Sequence, residues 1–224
     1  MEGDIVDKND AFYEESDEAW NEYFYPGTDV FKNKLGIMNG NELDKVEREI
    51  VDKKLSELHA NPIVGSFDIK HLCDIHKYLF GDIYDWAGEF RTVYMSRDTK
   101  HPYFAQAKDI RRYLEDDLGL LNNNFHSVYS MDQFIDFITE FYVSLLNIHP
   151  FREGNGRAIR EFLREFIVKK AELHGLDPVD LDWSRANHAV IEEAMPLARM
   201  YKYPIRKEIE KIIVPLEKDI HMGL

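Results

Sequence analysis

The sequence predicts a mainly α-helical domain with one small β-hairpin. The strongest observation is that apolar residues recur at steps of three and four over 131–148, as on the buried face of a helix. These residues are Met131, Phe134, Ile135, Ile138, Phe141, Tyr142 and Leu145. The second observation is that helical spacing breaks over 90–104. There the β-prone RTVYM is followed by the turn-like SRDTK and by HPYF, which its proline keeps extended. We therefore expect the hairpin between about residues 90 and 104.

Two helices are expected ahead of the hairpin. Asn41 can cap the first, which carries a broad apolar face. Asp68 can cap the second, and Gly81 can end it. After the hairpin, helical spacing resumes over 105–122.

The helix of 131–148 is followed by a second strongly apolar helix, which begins near Gly156 and has Gly175 as its stop. Segments near 184–200 and 204–218 also have helical spacing. The sequence HPFREGN therefore connects the two most apolar helices of the chain.

The chain of 224 residues is expected to form one domain, since 44% of it is hydrophobic and no repeat or low-complexity linker divides it. We assign residues 1–22 to an acidic N-terminal tail. Residues 23–224 form a single domain with helical N- and C-terminal extensions around a core of about 68–174. Eight acidic residues and one lysine in the first twenty positions predict a solvated tail, or a docking arm for a basic partner.

The charge and composition argue against several classes of protein. A net charge of −14 would repel a nucleic-acid backbone, so we expect no nucleic-acid partner. The single cysteine, Cys73, allows no internal disulfide and fits a reducing compartment. We find neither a signal peptide nor an apolar run long enough to span a membrane. A cytoplasmic location is expected, although export without a cleaved signal would leave the same pattern.

The segment HPFREGNGR, at 149–157, has the composition of an anion-binding loop. Gly154 and Gly156 permit positive φ and close backbone approach, and successive amides at a helix start form a nest for an anion. Arg157, and Arg160 one turn later, extend the positive potential of this nest. The Walker, kinase and GxSxG signatures are absent.

Two further side chains indicate catalysis at this loop. Glu153 would repel a bare phosphate, but it is suited to hold Mg²⁺ against phosphate oxygens. His149 can take up a proton near neutral pH, so it is the candidate general base. We expect Phe151 to point into the core and Arg152 to face solvent. The structural alternative is a glycine-rich turn with surface salt bridges, for instance between Arg157 and Glu161.

The full motif HPFREGNGRAIR is similar to the signature of the Fic family (Fic/Doc superfamily), H-x-F-x-[DE]-G-N-G-R-x-x-R, at every defined position. LFGDIYDWAGEFRTV resembles the segment that leads into the flap of that family. YPGTDVFKNKLG resembles an N-terminal stretch common in one branch. The resemblance spans roughly residues 23–170 and implies a compact Fic-type helical bundle with a hairpin flap.

The resemblance implies a protein adenylyltransferase, which transfers AMP from ATP to a Ser, Thr or Tyr hydroxyl of a target protein and can modify itself. His149 would be the base, Phe151 the anchor of the loop and Glu153 the Mg²⁺ ligand. The nucleotide would be held by Gly154, Asn155, Gly156, Arg157 and Arg160, of which Arg160 reaches the γ-phosphate. The flap would pair with an extended target segment through Thr92, Val93, Tyr94, Tyr103 and Phe104.

Alternatives remain at this point. Fic relatives also phosphorylate targets or transfer UMP or phosphocholine, and a non-catalytic nucleotide-binding or docking module is a further alternative. Gly156, where the phosphorylating type carries lysine, favours AMP transfer, and His149 favours catalysis. His71, Cys73, Asp74 and His76 could be taken as a metal cluster. Because the two histidines are five residues apart, we expect one in the core and one at the surface.

One feature of many relatives is missing. Their inhibitory helix has the pattern [ST]-x-x-x-E-[GN], but no Ser or Thr of this chain is followed by Glu four residues later. The usual internal inhibition is therefore not expected. A small antitoxin-like protein acting in trans, as in a toxin–antitoxin pair, is the expected source of restraint. The sequence leaves the oligomeric state open.

Overall fold

The computed structural model describes residues 18–95, 104–128, 130–174, 178–198 and 201–215, and within them the predicted mainly α-helical class is confirmed. The helices and strands follow in the order α1 (Gly40–Ala60), α2 (Ile69–Phe80), α3 (Ile110–Asn124), α4 (Met131–Ile148), α5 (Asn155–His174), β1 (Val179–Leu181), α6 (His188–Ala194), α7 (Tyr203–Ile212) and β2 (Ile213–Pro215). Short 3-10 turns lie at Ala107–Asp109, Phe125–Ser127, Trp183–Arg185 and Met195–Leu197.

The N-terminal caps show how local sequence sets the helix starts. Asp68 caps α2 as predicted, because its carboxylate accepts a hydrogen bond from the His71 amide at 2.9 Å. Gly81 follows the end of α2, also as predicted. The prediction of Asn41 as the cap of α1 is wrong by two residues. Asn39 has the extended backbone of a cap, and its side chain accepts from the Glu42 amide at 3.0 Å.

Helix α5 lies at the centre of the core. It packs against α2 on one side and against α4 on the other. Its buried side chains include Phe162 and Phe166, both fully inaccessible to solvent. Helix α4 has the predicted bounds, and Ser130 caps it. Two buried helices therefore hold both ends of the loop that connects them. None of the helices within the described ranges is long and apolar enough to cross a membrane.

A two-stranded antiparallel sheet lies in the C-terminal part of the chain, and its second strand falls within the segment 204–218 that the sequence predicted as helix. β1 pairs with β2 in the register Val179↔Pro215 and Leu181↔Ile213. The helix predicted over 204–218 ends at Ile212, because the chain then becomes extended. β-Branched residues and a proline that cannot donate a ladder hydrogen bond are suited to this short edge pairing.

The hairpin predicted for 90–104 falls largely outside the described residues, which omit 96–103. Residues 91–95 on its leading side carry no strand assignment. Tyr103 and the predicted helix stop Gly175 also lie outside the described residues, as does the tail up to residue 17. The described chain begins with a helical turn at 18–21, which already contacts the domain.

Candidate functional site

The loop between α4 and α5 starts with an unusual backbone conformation. His149 ends α4 in the left-handed region, with φ 51° and ψ 63°, and its amide donates to the Leu145 carbonyl at 3.1 Å. Non-glycine residues seldom adopt this conformation, and those that do occur preferentially at functional sites. The imidazole of His149 stacks on Phe104, with ring centroids 3.8 Å apart and ring planes 13° apart. The structure thus fixes both the backbone and the ring of this residue.

Asn155 holds the loop closed. Its side-chain oxygen accepts from the Phe151 amide at 2.8 Å, and its side-chain nitrogen donates to the Phe151 carbonyl at 2.7 Å. Phe151 is fully buried, as the sequence predicted, and stacks on His76 with centroids 3.8 Å apart. The Asn155 side chain therefore bonds both backbone groups of Phe151 and closes the loop at the start of α5.

Gly154 is required by its conformation and by its surroundings. Its φ is +78°, and a Cβ at this position would lie 2.4 Å from ring carbons of Phe80. The backbone can therefore come close to Phe80 only without a side chain. This turn brings the first amides of α5, from Asn155 to Arg157, to the helix N-terminus, where helix geometry supplies no intrahelical acceptors.

Arg157 lies in a well-defined position beside this helix start. One guanidinium nitrogen is 2.6 Å from Glu47 Oε1, the other is 3.5 Å from Glu153 Oε1, and the guanidinium covers the Phe80 ring at 4.7 Å. Glu47 also accepts a hydrogen bond from the Tyr84 hydroxyl. The salt bridge between Arg157 and Glu161 suggested by the structural alternative is not formed, because Glu161 pairs with Arg164 and His59.

Sequence reasoning missed Glu47. It projects from the middle of α1 and is 8% exposed as a whole residue. A signal was present in the sequence, since Leu43, Glu47 and Val51 are spaced by four and share one helix face. A carboxylate inside an otherwise apolar face needs a partner, and Arg157 supplies it.

Arg160, one turn after Arg157, lies near α4 and α6. Burial raises the pKa of the Tyr142 hydroxyl, and the positive charge of Arg160 opposes this effect. His188 lies at the start of α6. Its pKa is lowered mainly by burial and also by the positive charge of Arg160, whereas the negative charge of Glu192 raises it. The groups near Arg160 are therefore the Tyr142 hydroxyl and the His188 imidazole, and the exposed carboxylate of Glu192 acts on the same imidazole. None of the ion pairs found among the described side chains joins it to a glutamate.

Glu153 is the candidate metal ligand, and its chemistry fits Mg²⁺. Its side chain is 46% exposed, and its Oε1 accepts from the Gly154 amide at 2.8 Å. One hard oxygen ligand beside an anion-binding helix start is the arrangement in which Mg²⁺ binds through one carboxylate, substrate phosphates and water. Among the described residues there is no cluster of three His, Cys, Asp or Glu side chains.

His76 contacts the loop from α2, through a hydrogen bond to its backbone. Its Nδ1 accepts from the Gly88 amide at 2.8 Å, so its Nε2 carries the proton and donates to the Glu153 carbonyl at 2.9 Å. Burial lowers the pKa of His76 to about 4, although the bond to Glu153 raises it. The residue is therefore neutral at physiological pH.

The prediction that Arg152 faces solvent is wrong. The residue is 5% exposed, and its guanidinium lies 3.7 Å from the centroid of Trp20 and 4.7 Å from that of Phe31. Burial lowers its pKa to about 10. The aromatic residues before α1 enclose this arginine and thereby attach the N-terminal segment to the loop.

The alternative of a metal cluster around His71 is not supported. The expectation of one core and one surface histidine is wrong, since His71 and His76 are both buried. They point to different partners, because His71 Nε2 lies 3.0 Å from Glu165 Oε2. Cys73 lies between them in sequence, and burial raises the pKa of its thiol to about 11.

Comparisons with known proteins identify the family of the chain. The Fic/DOC family model matches residues 66–167. Protein adenylyltransferase VbhT of Bartonella schoenbuchensis is 31% identical over 216 residues, which are 90% of this chain and 42% of that protein. This chain thus spans less than half the length of VbhT. Probable protein adenylyltransferase Fic of Salmonella typhimurium is 30% identical over 172 residues, 75% of this chain and 82% of that protein.

Solved structures show the same fold. BepC from Bartonella tribocorum, solved with bound AMPPNP, has a TM-score of 0.76 and 27% identity, over 88% of this chain and 98% of that one. The N-terminal Fic domain of a Bep effector from Bartonella sp. AR 15-3 has a TM-score of 0.75 and 29% identity, over 86% and 91%. The chain belongs to the Fic/DOC family.

Proposed function

We propose that this protein transfers AMP from ATP to a Ser, Thr or Tyr hydroxyl of a target protein. The observation that carries the proposal is the loop between α4 and α5. It brings a histidine, an exposed carboxylate, a helix N-terminus and two arginines together on one rigid connection. The similarity to proteins named adenylyltransferase and to a structure with bound AMPPNP supports it.

In the proposed reaction, His149 takes the proton of the target hydroxyl. The hydroxyl oxygen then forms a bond to the α-phosphorus of ATP, and the bond from that phosphorus to the bridging oxygen of the β-phosphate breaks. Pyrophosphate carries away the electron pair. Positioning and charge neutralisation provide most of the catalysis in transfers of this kind.

The start of α5 would hold the triphosphate. The amides of Asn155, Gly156 and Arg157, with Gly154 making the turn, face the α- and β-phosphates, and Arg160 extends toward the γ-phosphate. Glu153 would hold Mg²⁺, which would supply positive charge beside the phosphate oxygens. Arg157 already contacts Glu47 and Glu153, so the guanidinium is oriented before the nucleotide arrives.

The target would be recognised by strand addition along the flap, through Thr92, Val93, Tyr94, Tyr103 and Phe104. We include auto-modification in the proposal, since a flap can accept a segment of a second copy as well as a target. No glutamate follows the inhibitory pattern in this chain, so a small antitoxin-like partner in trans remains the proposed restraint. Action in the cytoplasm is part of the same proposal.

The decisive experiment is labelling with ATP. Purified protein is incubated with cell lysate, Mg²⁺ and ATP labelled at either the α- or the γ-phosphate. We expect label in protein from α-labelled ATP only, and loss of label when Mg²⁺ is chelated. Signal from the γ-label alone would identify a kinase and contradict AMP transfer.

His149→Ala is the matched control. A general base contributes about 10²–10⁴ in rate, so the variant should lose labelling while binding ATP within a few-fold of the wild type. Binding is measured by calorimetry. A variant that still labels protein at the wild-type rate would remove His149 from the mechanism.

A further inference from the structure

Two residues that flank the flap segment, Phe104 and Arg91, contact His149, and no comparison assigns them a role. The first is Phe104, which is 9% exposed and lies directly after the undescribed residues of the flap. Its ring covers the His149 imidazole in a nearly parallel stack, with centroids 3.8 Å apart. The torsion that rotates an imidazole is soft and has broad minima, so a flat neighbour at this distance restricts it.

The second is Arg91, on the leading side of the flap. It is 2% exposed, and its Nε donates to the His149 carbonyl at 2.7 Å. One terminal nitrogen donates to the Val93 carbonyl at 2.7 Å, and the other donates to the carbonyls of Ala105 and Ile148. One side chain therefore joins the last carbonyls of α4 to both sides of the flap.

Physical chemistry explains why an arginine occupies this place. The last carbonyls of a helix have no intrahelical donor, and the C-terminal end carries about half a negative charge. A planar guanidinium with five donors can satisfy several such carbonyls at once, whereas lysine has one nitrogen. Burial lowers the pKa of Arg91 to about 10, so it stays charged near neutral pH. The backbone of this segment is further fixed by the Arg91 amide, which donates to the Pro150 carbonyl at 2.9 Å.

We infer that Phe104 and Arg91 are positioning residues for His149. Phe104 sets the plane of the imidazole, and Arg91 sets the backbone from which the imidazole projects. Arg91 also joins Val93 and Ala105, which lie on the two sides of the flap, through their carbonyls. The inference rests on the proposed function for its consequence in catalysis, but the contacts themselves can be tested without activity.

The main test is Phe104→Leu, compared with Phe104→Tyr. A displacement of about 1 Å at a reacting group can cost about 10²-fold in rate. We expect Phe104→Leu to lower kcat by about ten- to a hundred-fold, with the ATP dissociation constant unchanged within about two-fold. Phe104→Tyr keeps the stack and should restore most of kcat. Phe137→Leu is the matched control, since Phe137 packs on Phe125, Phe141 and Phe166, away from the loop.

The second readout is the NMR spectrum of His149, assigned with His149→Ala. A stacked ring shifts the imidazole carbon-bound protons upfield. We expect these resonances to move downfield and broaden in Phe104→Leu but not in Phe137→Leu. Arg91→Lys should also perturb them, because lysine cannot reach all four carbonyls. If Arg91→Lys does not fold, the two Phe104 variants still decide the inference.

The outcomes separate this inference from the proposed function. If wild-type protein gives no α-label, the proposed function fails, while the NMR comparison still tests the stack. If wild type is active and Phe104→Leu keeps both its kcat and its His149 resonances, the inference is wrong. A parallel loss of kcat and of ATP affinity in Phe104→Leu would show a general structural role and would also overturn it.

Discussion

At the scale of single residues, Gly154 shows how little freedom the loop has. The position combines a φ of +78° with a Cβ that would lie 2.4 Å from Phe80. We expect Gly154→Ala to lower the free energy of unfolding by about 2–5 kcal/mol, the sum of left-handed strain and overpacking. Thermal or urea denaturation measures it.

Gly27→Ala is the control for that prediction. Gly27 has a similar φ of +75°, but nothing lies within 4 Å of its Cβ position. This variant should show the backbone strain alone, about 1–2 kcal/mol. Equal losses for the two alanine variants would mean that contact with Phe80 adds nothing.

At the scale of elements, α1 reaches the site through Glu47. Its carboxylate is close to Arg157, where the phosphates of ATP are proposed to lie. Glu47→Gln keeps an acceptor oxygen for Arg157 and removes a negative charge. We therefore expect tighter ATP binding by about five-fold, or about 1 kcal/mol for a partly exposed pair.

Calorimetry with ATP at low and high salt measures this effect. Glu57→Gln is the matched control, because Glu57 lies on the same helix and pairs with the exposed Lys53. Its ATP affinity should match the wild type. Weaker binding in Glu47→Gln would show that the charge of Glu47 is needed to hold Arg157 in place.

The elements also show what the sequence could and could not predict. The bounds of α4 and the cap of α2 were predictable because they depend on local periodicity and local hydrogen bonds. The signature loop was predictable because few structures other than an anion-binding loop need a histidine, a carboxylate, two glycines and two arginines at this spacing. The pairing of Glu47 with Arg157, 110 positions apart, and the burial of Arg152 under Trp20 depend on tertiary contacts. The strand β2 was mistaken for helix because Ile213 and Val214 continue the apolar spacing of α7.

At the scale of the whole molecule, stability should depend on pH through His76. Burial lowers its pKa from 6.5 to about 4, so the folded protein excludes a proton that the unfolded chain binds. The free energy of unfolding therefore has its full value above about pH 6.5 and decreases as the pH falls toward about 4. The full difference is on the order of 3 kcal/mol.

Urea denaturation of the wild type and of His76→Gln between pH 4 and pH 7 tests this. The slope of stability against pH should be smaller in the variant, since glutamine does not titrate. Identical slopes for wild type and His76→Gln would contradict the assignment.

The contact between Trp20 and Arg152 also makes the fluorescence of Trp20 a probe of the signature loop. Arg152 directly precedes Glu153, and Trp20 is one of three tryptophans in the chain. The emission of an indole depends on the charge and polarity beside it. With Trp86 and Trp183 replaced by phenylalanine, the remaining fluorescence would come from a ring that lies on the signature loop. Nucleotide arrival could then be followed in real time, without an added dye.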